Sequence, residues 1–170
     1  MPHNIYLWTG TGAGKTTSAL GVALRALGHK QKVVIVQFMK GRKDIGEYKI
    51  RKKLGRKYKI YQFGRKGFVN LKKPSKKDKD LAVKGLRFAE RVLKEKPDLL
   101  VLDEINLAVA CGLLNVKDVL SFLNKVPKKT CVYLIGRFAP KKLIDKADFV
   151  NEVKIIKHPR KWKAKKGIEY

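Results

Sequence analysis

The sequence predicts an α/β fold, a mainly parallel sheet with helices on both faces, and three observations predict it. Short apolar runs alternate with longer segments of helical spacing. Several runs are continuous rather than alternating, as in strands buried on both sides. The first strand-to-helix turn is rich in glycine and ends in Gly14-Lys15-Thr16, so the fold is read as P-loop NTPase-like.

In chain order, Ile5-Tyr6-Leu7-Trp8 is the first strand, and Ser18 to Leu27 has a helical pattern that stops at Gly28. Val33 to Phe38 is an apolar run ending in Gln37-Phe38. The stretch from Lys40 to Lys79 is polar and glycine-punctuated, with Tyr58 to Phe63 alternating inside it like a strand. Leu81 to Leu93 has helical spacing and stops before Pro97. Leu99 to Glu104 is a buried strand closed by two acids. Asn115 caps a helix over Val116 to Val126, with Asp118 in the favourable first turn. Cys131 to Gly136 is a strand, Ala139 to Ala147 a helix entered through Pro140, and Phe149 to Ile156 a last strand.

A chain of 170 residues, 44% hydrophobic, fits one domain over 1–170 with a substantial core. No run approaches the ~18 apolar residues of a membrane span, and Met1-Pro2-His3-Asn4 opens no signal peptide, so no membrane and a cytoplasmic location are expected. Cys111 and Cys131 carry no disulfide or metal spacing; Cys131 is expected in the core. The net charge is +27, and seventeen basic against three acidic residues fall between Lys40 and Lys79. Such a surface attracts polyanions.

Thr9-Gly10-Thr11-Gly12-Ala13-Gly14-Lys15-Thr16-Thr17 has the composition of a phosphate-binding loop. Glycines let successive backbone N–H groups curl round an anion, and the helix N-terminus adds partial positive charge. Lys15 adds a full charge, and the Thr16 hydroxyl is placed to ligate magnesium. The usual loop has glycine where this chain has Thr9. Asp103 and Glu104 are the acidic partner of such a loop, one of them holding the metal directly or through water. Ligands in these sheets sit at the carboxyl ends of strands, so the loop, the acidic pair and Gly136-Arg137 should meet on one rim.

Together these motifs resemble the P-loop type ATP:corrinoid (cob(I)alamin) adenosyltransferases. The resemblance rests on the loop with its non-glycine first position, Gln37-Phe38-Met39-Lys40-Gly41, Gly46-Glu47 and Leu102-Asp103-Glu104-Ile105-Asn106. It continues through Gly112-Leu113-Leu114, Gly136 to Pro140, Ala147 to Glu152 and the tail from Lys157-His158 to Lys166-Gly167-Ile168-Glu169-Tyr170. The chain departs from the family pattern at Ala13, which replaces a loop lysine, at Ile135, which replaces a threonine, and over Lys66-Gly67-Phe68-Val69-Asn70. There the family has Glu-Gly-Phe-Thr-Trp. The first strand starts at residue 5, without the N-terminal extension many relatives fold over the site.

The resemblance implies transfer of the 5′-deoxyadenosyl group of ATP to the cobalt(I) of a corrinoid, with release of triphosphate. Both substrates bind one domain, with Mg2+, in a likeness whose members are commonly homodimers and take reduced cobalt from a reductant. No catalytic base is needed, because cobalt(I) is already a strong nucleophile. The leaving-group work falls to Lys15, the backbone of Gly10, Thr11, Gly12, Ala13, Gly14 and Thr17, and magnesium held by Thr16 with Glu104 or Asp103. Arg137 is assigned to the phosphates, with a structural ion pair as its other reading. Phe68 and Asn70 occupy the corrinoid-binding segment. His3, His29 and His158 are read as terminal, cap and surface residues. The rival readings are a P-loop ATPase gripping nucleic acid through its basic surface, and a carrier that has lost turnover.

Overall fold

The computed structural model describes residues 4–170; His3 lies outside them. Its six strands form a single all-parallel sheet in the order β3-β2-β4-β5-β1-β6. They are β1 (Ile5–Thr9), β2 (Val33–Phe38), β3 (Tyr58–Phe63), β4 (Leu99–Asp103), β5 (Cys131–Ile135) and β6 (Phe149–Glu152). The long helices are α1 (Lys15–Gly28), α4 (Lys76–Val92) and α6 (Val116–Asn124). Shorter ones are α2 (Gly46–Lys49), α3 (Arg51–Leu54), α5 (Ile105–Ala110) and α7 (Lys141–Lys146).

The continuous apolar runs become strands covered on both faces, and alternate residues divide between two cores. Val33, Ile35, Val101 and Ile135 face Ala19, Ala23 and Ala26 of α1. Val34, Val36, Leu100, Leu102 and Leu134 face Ala82 and Ala89 of α4, Ile105 of α5, Val119 and Phe122 of α6 and Leu143 of α7. Small residues on α1 let that helix lie close to the sheet. α4 opens on a capping box in which Ser75 and Asp78 exchange hydrogen bonds with each other's backbone N–H.

The structure differs from the sequence expectations at several element ends. α4 begins at Lys76, well ahead of Leu81, because its first turns are lysine-rich and show no apolar period. Three helices, α2, α3 and α5, were not predicted; at four to six residues each they are too short to display a helical repeat. β6 ends at Glu152 instead of Ile156, because Val153 turns onto the glycine loop. Its N–H donates to the Thr9 carbonyl at 2.9 Å and its carbonyl accepts from Gly12 N–H at 2.8 Å. Cys131 opens β5 and is half-buried instead of lying in the core; Cys111, just past α5, is also half-buried, and both are free thiols. His29 is the C-cap residue of α1, and His158 is exposed beside Trp162. No helix among the described residues is long and apolar enough to cross a membrane.

Candidate active site

The carboxyl ends of β1, β4 and β5 form the rim expected from the sequence, and the end of β2 joins it through Gln37 and Lys40. Between β1 and α1 the loop turns at Gly10 (φ 97°) and at Gly14 (φ 98°), the N-cap of α1. Both angles suit glycine. A Cβ on Gly10 would stand 2.4 Å from the Val153 carbonyl oxygen, and one on Gly12 2.7 Å from Val153 Cγ1, so the glycines also let the chain beyond β6 brace the loop. The non-glycine Thr9 is put to use: its Oγ1 accepts a hydrogen bond from Ala139 N–H at 3.1 Å, tying the loop to the segment after β5. Ala13 is exposed.

Lys15 is buried at 7% exposure, and its Nζ donates to the Gly12 carbonyl within the loop. Burial lowers the ammonium's pKa, as does nearby Arg137, against the opposing pull of Glu104 and Asp103. A lysine held this way is ready to transfer its hydrogen bonds to phosphate oxygens. Arg137 is exposed beyond β5 and makes no ion pair among the described residues.

The hydroxyl of Thr16 donates to Asp103 Oδ1 at 3.0 Å, joining the loop to the end of β4. Asp103 is fully buried, and its Oδ2 accepts from Lys40 Nζ at 2.7 Å and Gln37 Nε2 at 3.0 Å. Gln37 is held in turn by Gln62, whose Nε2 donates to its Oε1 at 3.0 Å. For Lys40, burial is the largest influence and opposes the charge, but Asp103 together with Glu104 and Glu47 raises the pKa overall.

Glu104 has left-handed backbone angles (φ 64°, ψ 16°) as the N-cap of α5, an uncommon conformation for a non-glycine residue. Its Oε2 is buried with no hydrogen-bond partner. Burial, then the neighbouring Asp103 charge, raises its pKa, against the pull of Lys40, Lys15 and Arg137. A buried carboxylate oxygen without a donor, next to a loop hydroxyl and a second carboxylate, suits a hard cation with oxygen ligands. The donor set of Thr16, Asp103 and Glu104 therefore fits magnesium. Asn106 braces the rim from below: its Nδ2 donates to Trp8 O at 3.1 Å and Gly136 O at 3.3 Å.

Beside this rim opens a cavity of about 580 Å³. Met39, Lys40, Ile45, Arg65, Phe68 and Tyr170 are among its lining residues. Phe68 is fully exposed, and the Tyr170 ring lies under the Arg42 guanidinium, 4.9 Å from ring centroid to Cζ. Asn70 does not line the cavity; its Oδ1 accepts from Lys72 N–H and Lys73 N–H, capping an exposed turn. Arg65 holds the whole segment by a two-pronged pair to Asp78 at 2.7 and 2.9 Å.

The sequence places Gln37 and Lys40 in a motif without indicating a role for either, and nothing in it singles out Arg65 or Val153. A glutamine ending a fully buried apolar strand was the available signal for Gln37. Nothing local marks Arg65 or Val153, whose partners lie elsewhere in the chain.

A sequence profile for the family described as ATP:corrinoid adenosyltransferase BtuR/CobO/CobP matches residues 3–170. The chain is 36% identical to a corrinoid adenosyltransferase of Pseudomonas aeruginosa, over 95% of this chain and 81% of that protein. It is 35% identical to one of Sinorhizobium sp (95% and 78%) and 33% identical to one of Escherichia coli K12 (98% and 85%). Among solved structures, the flagellar accessory protein FlaH of Methanocaldococcus jannaschii superposes with a TM-score of 0.58 at 15% identity, covering 89% of this chain and 72% of that one. That likeness concerns the fold alone. With a profile match running the length of the described chain, the protein belongs to the ATP:corrinoid adenosyltransferase family.

Proposed function

We propose that this chain carries out its family's reaction on the rim just described, moving the 5′-deoxyadenosyl group of ATP to the cobalt(I) of a corrinoid and releasing triphosphate. The carbon–oxygen bond at the 5′ position breaks as the carbon–cobalt bond forms; the electron pair comes from cobalt(I) and the leaving oxygen departs as triphosphate. The observation that supports this reading most is the contact between two sites. Lys40 both touches Asp103 at 2.7 Å and lines the 580 Å³ cavity, so a nucleotide in the loop and a flat ligand in the cavity would be neighbours.

In this reading the chain works by placement and by stabilising the leaving group. Backbone N–H groups from Gly10 to Thr17 and the Lys15 ammonium receive the triphosphate, and Arg137 reaches it from beyond β5. Thr16 with Asp103 and Glu104 would hold Mg2+, which when bound neutralises charge on the leaving group. Phe68 offers an apolar face to the corrinoid, and Tyr170 lines the same cavity. Asn70 serves the loop's shape. A reductant protein that supplies cobalt(I) and a homodimeric state follow from the resemblance, and with the cytoplasmic setting expected from the sequence they belong to the same proposal.

The test is anaerobic incubation of the protein with ATP, magnesium and chemically reduced cob(I)alamin, following the corrinoid spectrum and assaying triphosphate. Adenosylcobalamin and triphosphate are expected in equal amounts. Phosphate release that rises on adding DNA or RNA, with no adenosylated corrinoid, would overturn the reading in favour of a nucleic-acid-dependent ATPase.

A further inference from the structure

We propose that the Lys40 ammonium is a built-in cation standing in the metal's place, displaced when magnesium and nucleotide load, so that filling the nucleotide rim changes the wall of the neighbouring cavity. The inference rests on the reading of Thr16 and Asp103 as metal ligands.

The geometry is specific. Lys40 Nζ lies 2.7 Å from Asp103 Oδ2 and 3.3 Å from Thr16 Oγ1, bridging the loop hydroxyl and the β4 carboxylate read as metal ligands. The Asp103 side chain is 1% exposed, and a buried carboxylate without a counter-charge is costly. The loop's own lysine does not serve, since Lys15 Nζ is turned to the Gly12 carbonyl. Gln37 is a neutral donor. Among the described residues, Lys40 is thus the cation hydrogen-bonded to Asp103. A magnesium ion coordinates oxygen at about 2.0–2.1 Å. An ion at that distance from Asp103 and Thr16 would face the ammonium at close range with like charge, so the two exclude each other.

Lys40 also has somewhere to go. Its side chain is 27% exposed, it follows the left-handed turn at Met39 (φ 57°), and it already lines the cavity that holds Phe68 and Tyr170. Displacement moves a positive charge from Asp103 towards the boundary between the two substrates, where the triphosphate is to depart. The site then binds metal weakly when empty of nucleotide and strongly once phosphate oxygens complete the shell. The cavity wall takes its working form only after the nucleotide is in place.

The test needs no corrinoid and no turnover. Mn2+ is titrated into the whole chain and its free signal followed by electron paramagnetic resonance, with and without ATP. The proteins are wild type, Lys40→Gln, Lys40→Met and Lys40→Arg. Without nucleotide, Lys40→Gln should bind Mn2+ at least about tenfold more tightly than wild type, since a like charge a few ångströms away is worth more than that factor. Lys40→Met, which keeps the apolar stem, should do the same, and Lys40→Arg should stay near wild type. The melting temperature of Lys40→Gln in chelator should fall below wild type and recover with millimolar Mg2+. Equal Mn2+ affinity in wild type and both neutral variants, with ATP-dependent Mn2+ binding intact, overturns the displacement. Absence of Mn2+ binding in every protein even with ATP overturns the metal assignment and this inference with it. The adenosyl-transfer assay stands apart from both results.

Discussion

Lys15 and Glu104 sit at the same rim under opposite constraints. Lys15 is a buried cation whose charge is disfavoured by burial and by Arg137, so an anion in the loop would relieve it. Lys15→Ala should reduce turnover by about 10²–10³-fold, the range for losing one strong leaving-group donor, measured as triphosphate release at saturating ATP. Glu104 is a buried carboxyl whose charge is disfavoured, so its folded pKa lies above the ordinary 4.5. Charging it in the fold therefore costs stability as pH rises through and above that unfolded value, and costs nothing below it, where both states are protonated. Glu104→Gln should accordingly raise the melting temperature at neutral pH, with the gain shrinking towards zero below about pH 4.5, while metal-dependent activity falls. Thermal melts from pH 4 to 8 without ligands check this; a variant less stable than wild type at pH 7 refutes it. These residues were legible because one contiguous motif and one strand-end acidic pair name them. The Lys40–Asp103 contact was not, since its partners are 63 positions apart and meet only because β2 and β4 are neighbours in the sheet.

At the scale of elements, the segment between β3 and α4 is tied down by an ion pair as well as by Val69, which packs against the core. Arg65 grips Asp78, and Asp78 also closes the capping box with Ser75, so a single carboxylate anchors both the Phe68 loop and the start of α4. The Arg65 guanidinium, then Ser75, hold its pKa below the ordinary 3.8. A depressed carboxyl contributes stability above its unfolded pKa and loses it as pH falls through the lower folded value, so this anchor is intact at any neutral pH. Asp78→Ala should raise the KM for corrinoid several-fold while leaving the KM for ATP close to wild type, because the loop carries Phe68 but no phosphate contact. Ser75→Ala, which removes the cap hydroxyl alone, should cost about 1 kcal/mol of stability with little change in either KM. Equal loss of both KM values in Asp78→Ala would mean that the helix, not the loop, was the part affected. The strands were legible from their apolar runs, and α1 from its period. The polar stretch around them was opaque, because short helices and a lysine-rich first turn carry no hydrophobic repeat, and because Arg65 is one basic residue among seventeen in that stretch.

For the whole molecule, the net charge of +27 bears on encounter rather than on fold. Most of the cations are exposed and outnumber the acids that could pair with them. Pairs such as Lys59–Glu95 and Lys125–Glu90 lie on the surface, where an ion pair adds little stability. What remains is a positive field around the rim proposed to receive the triphosphate. That field should speed ATP capture without altering the chemical step, since the groups touching the triphosphate are buried or shielded once it is bound. Raising the salt from about 0.05 to about 0.5 M shortens the Debye length from above 10 Å to a few ångströms. The value of kcat/KM for ATP should then fall several-fold, with kcat nearly constant. The same series run with a corrinoid of low net charge should show a much weaker salt dependence of its own kcat/KM. If kcat falls with salt as steeply as kcat/KM, the charge acts on the bound state, through contacts such as Arg137, and the field is not a capture device. If neither changes, the lysine surface is neutral to catalysis, and polyanion binding measured directly with DNA becomes the better account of it.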